Sequence, residues 1–380
     1  MKKALKHLPT IVFLIFIYAM AILFFVLPKI QYSSSEKRYL AEFPKFNSQT
    51  FFEGEFGEKF ETYLSDHTSF RNFYVGLNSY YNLSLGNPLS NGIYHCKDGY
   101  LVNDPVDTKR FMPNIEVIAD FAKKQNIESA MVLAPSTGYV VNDLLPNKHI
   151  IYNDDELFSQ ASSVLKDSGV TFVDIRDEFK SAYKSGTQVY YKTDHHWTAN
   201  GAHLAYNALS SALDITPYSK DNYTIDTHSG FYGTTYSSSG FWYTKPDNIE
   251  LWHSKQKQDI NVTITDGGKT IKNDSVFFTQ RLKEDDKYPV YLDGNHPYTV
   301  IKNDVLKQNG NDKKLLVIKD SFAHSLVPFL ADHYSEIIMI DMRYYKQNVT
   351  KLIENTGVDQ ILFIYSIDNL ATDADVAWLE

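Results

Sequence analysis

The sequence predicts an α/β fold: a parallel sheet with helices on both faces, interrupted by an irregular and β-rich insertion and preceded by one N-terminal transmembrane helix. Three observations carry this expectation. Apolar runs of strand length alternate with helical periodicity over residues 129–213 and again over 314–365. Such a βαβαβ rhythm needs crossover helices that cover both faces of a parallel sheet. Between those blocks, from about 216 to 311, Tyr, Thr, Ser, Asn, Asp and Gly dominate and the helical period disappears. Finally, an uncharged run covers residues 11–27, just long enough to cross a bilayer as a helix.

Bulk properties narrow the class. The 380 residues suffice for one large domain or a domain with a sizeable insertion. The net charge of −9 provides no basic stripe to neutralise phosphates, which argues against a nucleic-acid partner. The single cysteine, Cys96, rules out an intramolecular disulfide and reads as a small buried apolar side chain. The 27 Tyr and 24 Phe fit either an aromatic-rich core and surface or rings lining a carbohydrate cleft.

Taken in order, Lys2, Lys3 and Lys6 precede the apolar run, and Pro28 and Lys29 close it. The basic end should stay in the cytoplasm, so residues beyond about 30 work outside the membrane. A cleavable signal peptide is the alternative, because Ala19-Met20-Ala21 resembles a cleavage site. The run continues past it through Ile22 and Phe25 to Leu27, which favours an uncleaved anchor. Residues 1–30 are then a basic stub and anchor, 31–52 a polar tether, and 53–380 an extracytoplasmic domain with its insertion at about 216–311. Phe56, Phe60, Tyr63 and Leu64, then Phe70, Phe73 and Leu77, predict one or two amphipathic helices. Asn91-Gly92 and Asp98-Gly99 flank a hairpin signal. Helices are expected over 108–125, 155–167, 176–183 and from an N-cap at Thr198. Strands are expected over 129–134 and 170–175. Within the insertion, 249–252, 262–264 and 288–292 look extended. After it come strands at 314–318, 336–340 and 360–365, with helices at 321–332 and 345–355.

Two stretches carry chemistry. Asp194-His195-His196-Trp197 puts an acid, two imidazoles and an indole in consecutive positions. A carboxylate two residues before a histidine can hold its Nδ1, fix the tautomer and support an imidazolium. Asp194 with His196 has that spacing, which leaves His195 and Trp197 as support or substrate contacts. Ser321, in Lys319-Asp320-Ser321-Phe322, lies where a strand should give way to a helix. In open α/β sheets this is the end that carries sites, and free backbone N–H groups there can stabilise an oxyanion. Two other readings stand beside this one. Ser321 or Asp320 can simply cap the helix, and the acid and histidines can be satisfied in a polar core. Metal binding by Asp194, His195, His196 and His203 is a third chemistry. Against it, adjacent histidines of an extended segment point opposite ways.

These residues resemble a known family. Lys319-Asp320-Ser321-Phe322 is similar to the Gly-Asp-Ser-[Tyr/Phe] block of SGNH-type hydrolases, with Lys in place of Gly. Asp194-His195-His196-Trp197 resembles the Asp-x-His-Trp motif of the alginate O-acetylation proteins and, more closely, the tetrad that names the DHHW family. Glu36-Lys37-Arg38-Tyr39-Leu40-Ala41-Glu42-Phe43-Pro44 and Phe231-Tyr232-Gly233-Thr234 match as well. The resemblance implies an SGNH-hydrolase-like fold in circularly permuted motif order, with Asp and His before Ser. It implies Ser321 as nucleophile, His196 as base and Asp194 as its partner, with the Ser321 N–H and the loop at Tyr232 and Gly233 as oxyanion candidates. The implied activity is O-acetyl transfer to an extracellular polysaccharide, without metal or cofactor, with a membrane-bound O-acyltransferase partner supplying the acetyl group. A carbohydrate acetylesterase and a non-catalytic envelope glycan-binding or assembly protein remain as alternatives. The sequence departs from the pattern at Lys319 and in Pro135-Ser136-Thr137, where relatives carry Lys after the hydroxyl residue.

Overall fold

The computed structural model describes residues 7–379. Lys2, Lys3 and Lys6, which set the expected orientation of the apolar helix, lie outside the described residues. The chain forms two compact units, one up to Asn91 together with Ser237–Trp242, the other Gly92–Tyr236 together with Tyr243 onward.

In the first unit, α1 (Leu8–Val26) has no buried residue along its 19 positions. At about 1.5 Å per residue its length matches the roughly 30 Å hydrocarbon core of a bilayer. It stops at Leu27, whose extended backbone is what a following proline imposes. The amphipathic pattern resolves into two helices, α2 (Glu55–His67) and α3 (Arg71–Ser84). The segment expected as a tether is ordered against α2. Arg38 forks onto the buried Asp66 at 2.9 and 2.5 Å, and the Ala41 N–H donates to the same carboxylate at 2.9 Å. Glu36 in turn meets both Arg38 and Arg71. A carboxylate withdrawn from water needs partners of this kind.

The second unit is built on an eight-stranded sheet. A hairpin of β1 (Ile93–His95) and β2 (Leu101–Asn103) leads to α4 (Phe111–Gln125), β3 (Glu128–Ala134), α5 (Asp154–Lys166), β4 (Val170–Val173), α6 (Arg176–Lys184) and α7 (Ala199–Leu209). The compositional insertion supplies β5 (Tyr223–Phe231), β6 (Asp247–Ser254), β7 (Ile260–Asp266), β8 (Lys269–Asn273) and β9 (Tyr298–Asn303). Then follow β10 (Lys314–Lys319), α8 (Ala323–Leu330), β11 (Glu336–Ile340), α9 (Val349–Thr356), β12 (Gln360–Ser366) and α10 (Ile367–Thr372). The sheet order is β8-β7-β9-β11-β10-β12-β3-β4. The strands from β11 to β4 are mutually parallel, whereas β9, β7 and β8 extend the sheet antiparallel.

Residue type explains this division. Parallel strands are covered on both faces and read as unbroken apolar runs; every residue of β12 is buried, and all of β10 but its first. In β7 buried and exposed positions alternate, as suits a sheet edge with one wet face. Its hairpin with β8 turns at Gly267-Gly268, both at positive φ, a conformation that two-residue hairpin turns require. The segment from 216 to 311 is thus only partly a separate elaboration: β5 and β6 form their own ribbon, while β7, β8 and β9 join the main sheet. The run 288–292, expected to be extended, contains a single 3-10 turn at Tyr288–Val290. Pro289 fixes φ and removes the N–H that a ladder would need.

Alternation along the strands sorts the two faces. Met131, Leu133, Leu316, Ile318, Ile361 and Phe363 share one core with α4, α5, α9 and α10. The intervening side chains point to the opposite face, where α7 packs on α8 and on β3. The neighbouring strands β10, β12 and β3 all end on one edge of the sheet, so the segments after Lys319, Ser366 and Ala134 converge there. Phe363 is fully buried and meets Phe121 edge-to-face at 6.4 Å. Phe363→Ala is expected to lower stability by about 3–5 kcal/mol, measured by urea denaturation; a loss below about 1 kcal/mol would contradict this packing.

Candidate active site

The Asp-His-His-Trp stretch is a closed hairpin, not an extended segment. Tyr190 and Trp197 form an antiparallel bridge, and the Tyr191 N–H donates to the His196 carbonyl at 3.2 Å. The buried Asp247 closes the turn by accepting from the Thr193 N–H at 2.8 Å, the Thr193 hydroxyl at 2.7 Å and the Lys192 N–H at 2.9 Å. In consequence the rings of His195 and His196 lie side by side, 3.9 Å apart, rather than on opposite faces as the extended reading expected.

Ser321 follows β10 in a turn organised by Asp320. One oxygen of this buried carboxylate accepts from the Phe322 N–H at 2.9 Å. The other accepts from the Ser366 N–H at 2.7 Å, the Ser366 hydroxyl at 2.9 Å and the Asn369 amide at 2.9 Å. Asp320 therefore binds the turn to the end of β12, and α8 starts only at Ala323. The Trp197 indole, fully buried, donates to the Phe322 carbonyl at 3.1 Å and to Ser325 Oγ at 2.9 Å. That bond fastens the hairpin onto the serine turn.

With the turn and the hairpin fixed, Ser321 Oγ lies 2.7 Å from His196 Nε2, and His196 Nδ1 lies 2.5 Å from Asp194 Oδ1. Asp194 Oδ1 also accepts from the His196 N–H at 3.0 Å, and Oδ2 from the Thr234 N–H at 2.7 Å and hydroxyl at 3.1 Å. Burial works against ionisation of Asp194, but the neighbouring imidazoles and the Thr234 amide outweigh it and hold the carboxyl well below the usual range. An ionised Asp194 only accepts, so Nδ1 of His196 carries a proton, and Nε2 of the neutral ring is free to accept from the Ser321 hydroxyl.

The supporting residues fall into place around this line. His195 Nδ1 meets Thr234 Oγ1 at 2.6 Å, and the ring borders a cavity. A Cβ on Gly233 would fall on that of Asp194, so only glycine lets the 231–236 loop approach this closely. The Gly233 N–H donates to Thr193 Oγ1 at 3.3 Å, and Tyr232 rests on Tyr236 with ring centres 4.2 Å apart. Lys319 turns away from the serine turn. Its buried Nζ donates to His324 Nε2 at 2.8 Å and to Asp341 Oδ2 at 3.1 Å, and Arg343 grips the same carboxylate. Lysine in place of glycine thus supplies a buried ion pair linking β10 to the end of β11.

Asp194, His195 and His196 have ligand atoms within 4.8 Å of one another. Both ring nitrogens of His196 and Nδ1 of His195 are already committed to hydrogen bonds, which disfavours a shared ion. His203 bonds the Tyr218 carbonyl at 2.9 Å and packs with Trp252 and Phe329 instead.

Sequence reasoning missed Tyr288, Thr234 and Asp247. Tyr288 stacks on the His196 ring at 3.8 Å and 11°, and its hydroxyl donates to the Ser321 carbonyl at 3.2 Å. Nothing local marks Tyr288 and Asp247, ordinary side chains in aperiodic segments, whereas Thr234 ends the Phe231–Thr234 stretch that resembles the family but had no role read for it. Only Gly233 next to Thr234 hinted at a close approach.

Residues 100–228 match the family model of the SGNH hydrolase-like domain of the acetyltransferase AlgX. The fold of the chain is SGNH hydrolase-like. The matched stretch contains Asp194 and His196 and ends before Ser321. Among solved structures, a DHHW family protein from Eubacterium siraeum is similar over 76% of this chain and 95% of its own, with TM-score 0.62 and 19% identity. Bacillus cereus PatB1, solved with a sulfonyl adduct, is similar over 76% of this chain and 98% of its own, with TM-score 0.61 and 23% identity. At these identities the two structures establish the shared fold. No curated protein matches the chain.

Two outcomes test the site as built. Gly233→Ala should cost about 1–3 kcal/mol, because the methyl group displaces Asp194; thermal unfolding measures this, and an unchanged midpoint would refute the close packing. The depressed Asp194 pKa stabilises the fold above the ordinary carboxylate value of about 4. That contribution drains away as pH falls toward the folded-state value. Asp194→Asn should therefore lower stability at neutral pH and flatten its decline below about pH 4, read as melting temperature against pH.

Proposed function

We propose that the second unit is an extracytoplasmic O-acetyltransferase acting on a cell-surface or secreted polysaccharide, with Ser321 as nucleophile, His196 as general base and Asp194 as its orienting partner. One observation carries this reading: the unbroken line from Ser321 Oγ through His196 to the buried Asp194, with hydrogen bonds of 2.7 and 2.5 Å. Helix capping or a satisfied polar core would not need Nε2 aimed at a hydroxyl with Nδ1 held by an ionised carboxylate.

Chemically, Ser321 Oγ attacks the acetyl carbonyl of a donor ester or thioester while its proton passes to His196 Nε2. The donor's leaving group departs with that proton, and an acetyl ester remains on Ser321. An acceptor hydroxyl then gives its proton to His196 and attacks the acetyl carbon. The bond to Oγ breaks, and Ser321 recovers the proton. The Ser321 N–H makes no hydrogen bond among the described residues, so it is available to the oxyanion of both steps. Tyr288, flat against the imidazole, suits the positive charge that the ring acquires.

The apolar helix Leu8–Val26 would hold the enzyme at the outer face of the cell membrane as a single-pass anchor, beside a membrane-bound O-acyltransferase that delivers acetyl groups. The similarity of residues 100–228 to an acetyltransferase domain supports the acyl-transfer class. Water as acceptor would make the same site an acetylesterase.

The test is hydrolysis of p-nitrophenyl acetate by the full chain in detergent. Ser321→Ala and His196→Ala should each lower the rate by roughly a thousandfold or more, and chelation should leave it unchanged. Equal rates for wild type and Ser321→Ala would remove Ser321 as nucleophile and favour a glycan-binding role. Acetylated oligosaccharide in the products, read by mass spectrometry, separates transferase from esterase.

A further inference from the structure

Beside the triad lies a cavity of about 220 Å³, whose chemistry differs from that of a general polysaccharide cleft. His195 and Phe322, the neighbours in sequence of the proposed base and nucleophile, form its wall on the side of the triad. Val106 and Phe322 give it apolar surface, and Thr137 and Asn369 give it polar edges. The carboxyl group of Asp368, also in its lining, has no hydrogen-bond or ion-pair partner among the described residues, and only the backbone carbonyl is engaged, by the Thr372 hydroxyl at 2.8 Å. The lining contains no lysine or arginine. A carboxyl group left unpaired in a partly buried wall is normally destabilising, so its retention beside a reactive serine points to a ligand that satisfies it.

Resting on the acyl-transfer reading above, we infer that this cavity is the acceptor subsite, that it takes one uncharged sugar ring through a hydrogen bond from a ring hydroxyl to Asp368, and that it rejects uronic acids. The apolar C–H face of a pyranose fits against Phe322 and Val106, while its hydroxyls meet Asp368 and Thr137. A uronate would bring its carboxylate into a site with an acidic wall and no cation to pair with. Asp104 and Asp154 lie close enough to raise the Asp368 carboxyl: burial first, then these neighbours, push it up to about 7. A carboxyl poised there both donates to and accepts from a sugar hydroxyl, and it marks a site already crowded with negative potential. His195 lines the cavity, and its ring lies 3.9 Å from that of His196. A hydroxyl on a ring seated in the cavity is thereby directed toward the base.

The test uses the full chain in detergent and three oligosaccharide probes of equal length: a neutral β-linked glucan, a chitooligosaccharide and a polyuronate. Binding is measured by isothermal titration calorimetry at pH 7 and at two salt concentrations. The two uncharged probes are expected to bind at least tenfold more tightly than the polyuronate. Asp368→Asn should weaken uncharged binding several-fold, and Asp368→Lys should shift preference toward the polyuronate. Equal or tighter polyuronate binding by the wild type overturns the inference, as does a failure of all three probes to bind. The wild-type comparison decides the matter even if a variant misfolds. Ser321-dependent hydrolysis of p-nitrophenyl acetate reports on the triad alone. If it persists while the acceptor preference fails, the subsite assignment falls and the acyl-transfer reading stands.

Discussion

One buried hydrogen-bond donor, the indole N–H of Trp197, joins the two halves of this site. It reaches across to the Phe322 carbonyl and Ser325 Oγ, and so sets the distance between a hairpin formed near residue 194 and a turn formed near residue 321. A fully buried indole has no water to bond, so separating hairpin and turn leaves its donor unsatisfied. That penalty, on the order of 1–3 kcal/mol, acts directly on the separation of His196 and Ser321. The tryptophan therefore works in the proposed chemistry without touching substrate: it holds the imidazole at hydrogen-bond reach of the hydroxyl.

Two carboxylates divide the remaining labour. Asp194 faces an imidazole and is held ionised by it. Asp320 faces only amides, a hydroxyl and a side-chain amide, and serves to shape the turn. Both are buried, and both are adjacent to a residue of the reactive line, yet their partners give them different tasks. Lys319 illustrates the same point. In sequence it looks like a damaging replacement of glycine, but its side chain leaves the turn and pairs with Asp341 just past the end of the neighbouring strand.

The fold was legible wherever periodicity was strong. The parallel strands around 314–365, the helices between them and the Thr198 cap, which accepts from the Gly201 N–H, all follow from local pattern. The spacing of Asp194 and His196 indicated their hydrogen bond. What could not be read were properties set by partners distant in sequence. Strands β7, β8 and β9 carry exposed polar positions rather than unbroken apolar runs, so nothing in them announced that they would extend the main sheet. Tyr288 sits in a proline-broken run, and its stacking on His196 exists only because β10 and the segment before β9 come together. The hairpin geometry of residues 190–197 depends on Asp247, more than fifty positions away in the numbering, so the histidine orientation was misjudged from the local stretch alone.

The dependence of the serine turn on Ser366 and Asn369 also imposes an order of events on synthesis. A chain made from its N-terminus presents Asp194 and His196 first, Tyr288 later and Ser321 later still. Even then the serine turn is not shaped, because the oxygens of Asp320 wait for amides and a hydroxyl that emerge after it. Until β12 docks between β10 and β3, Asp320 lacks the Ser366 and Asn369 partners that hold the turn around Ser321. The last central strand to be made is the one that completes the serine turn.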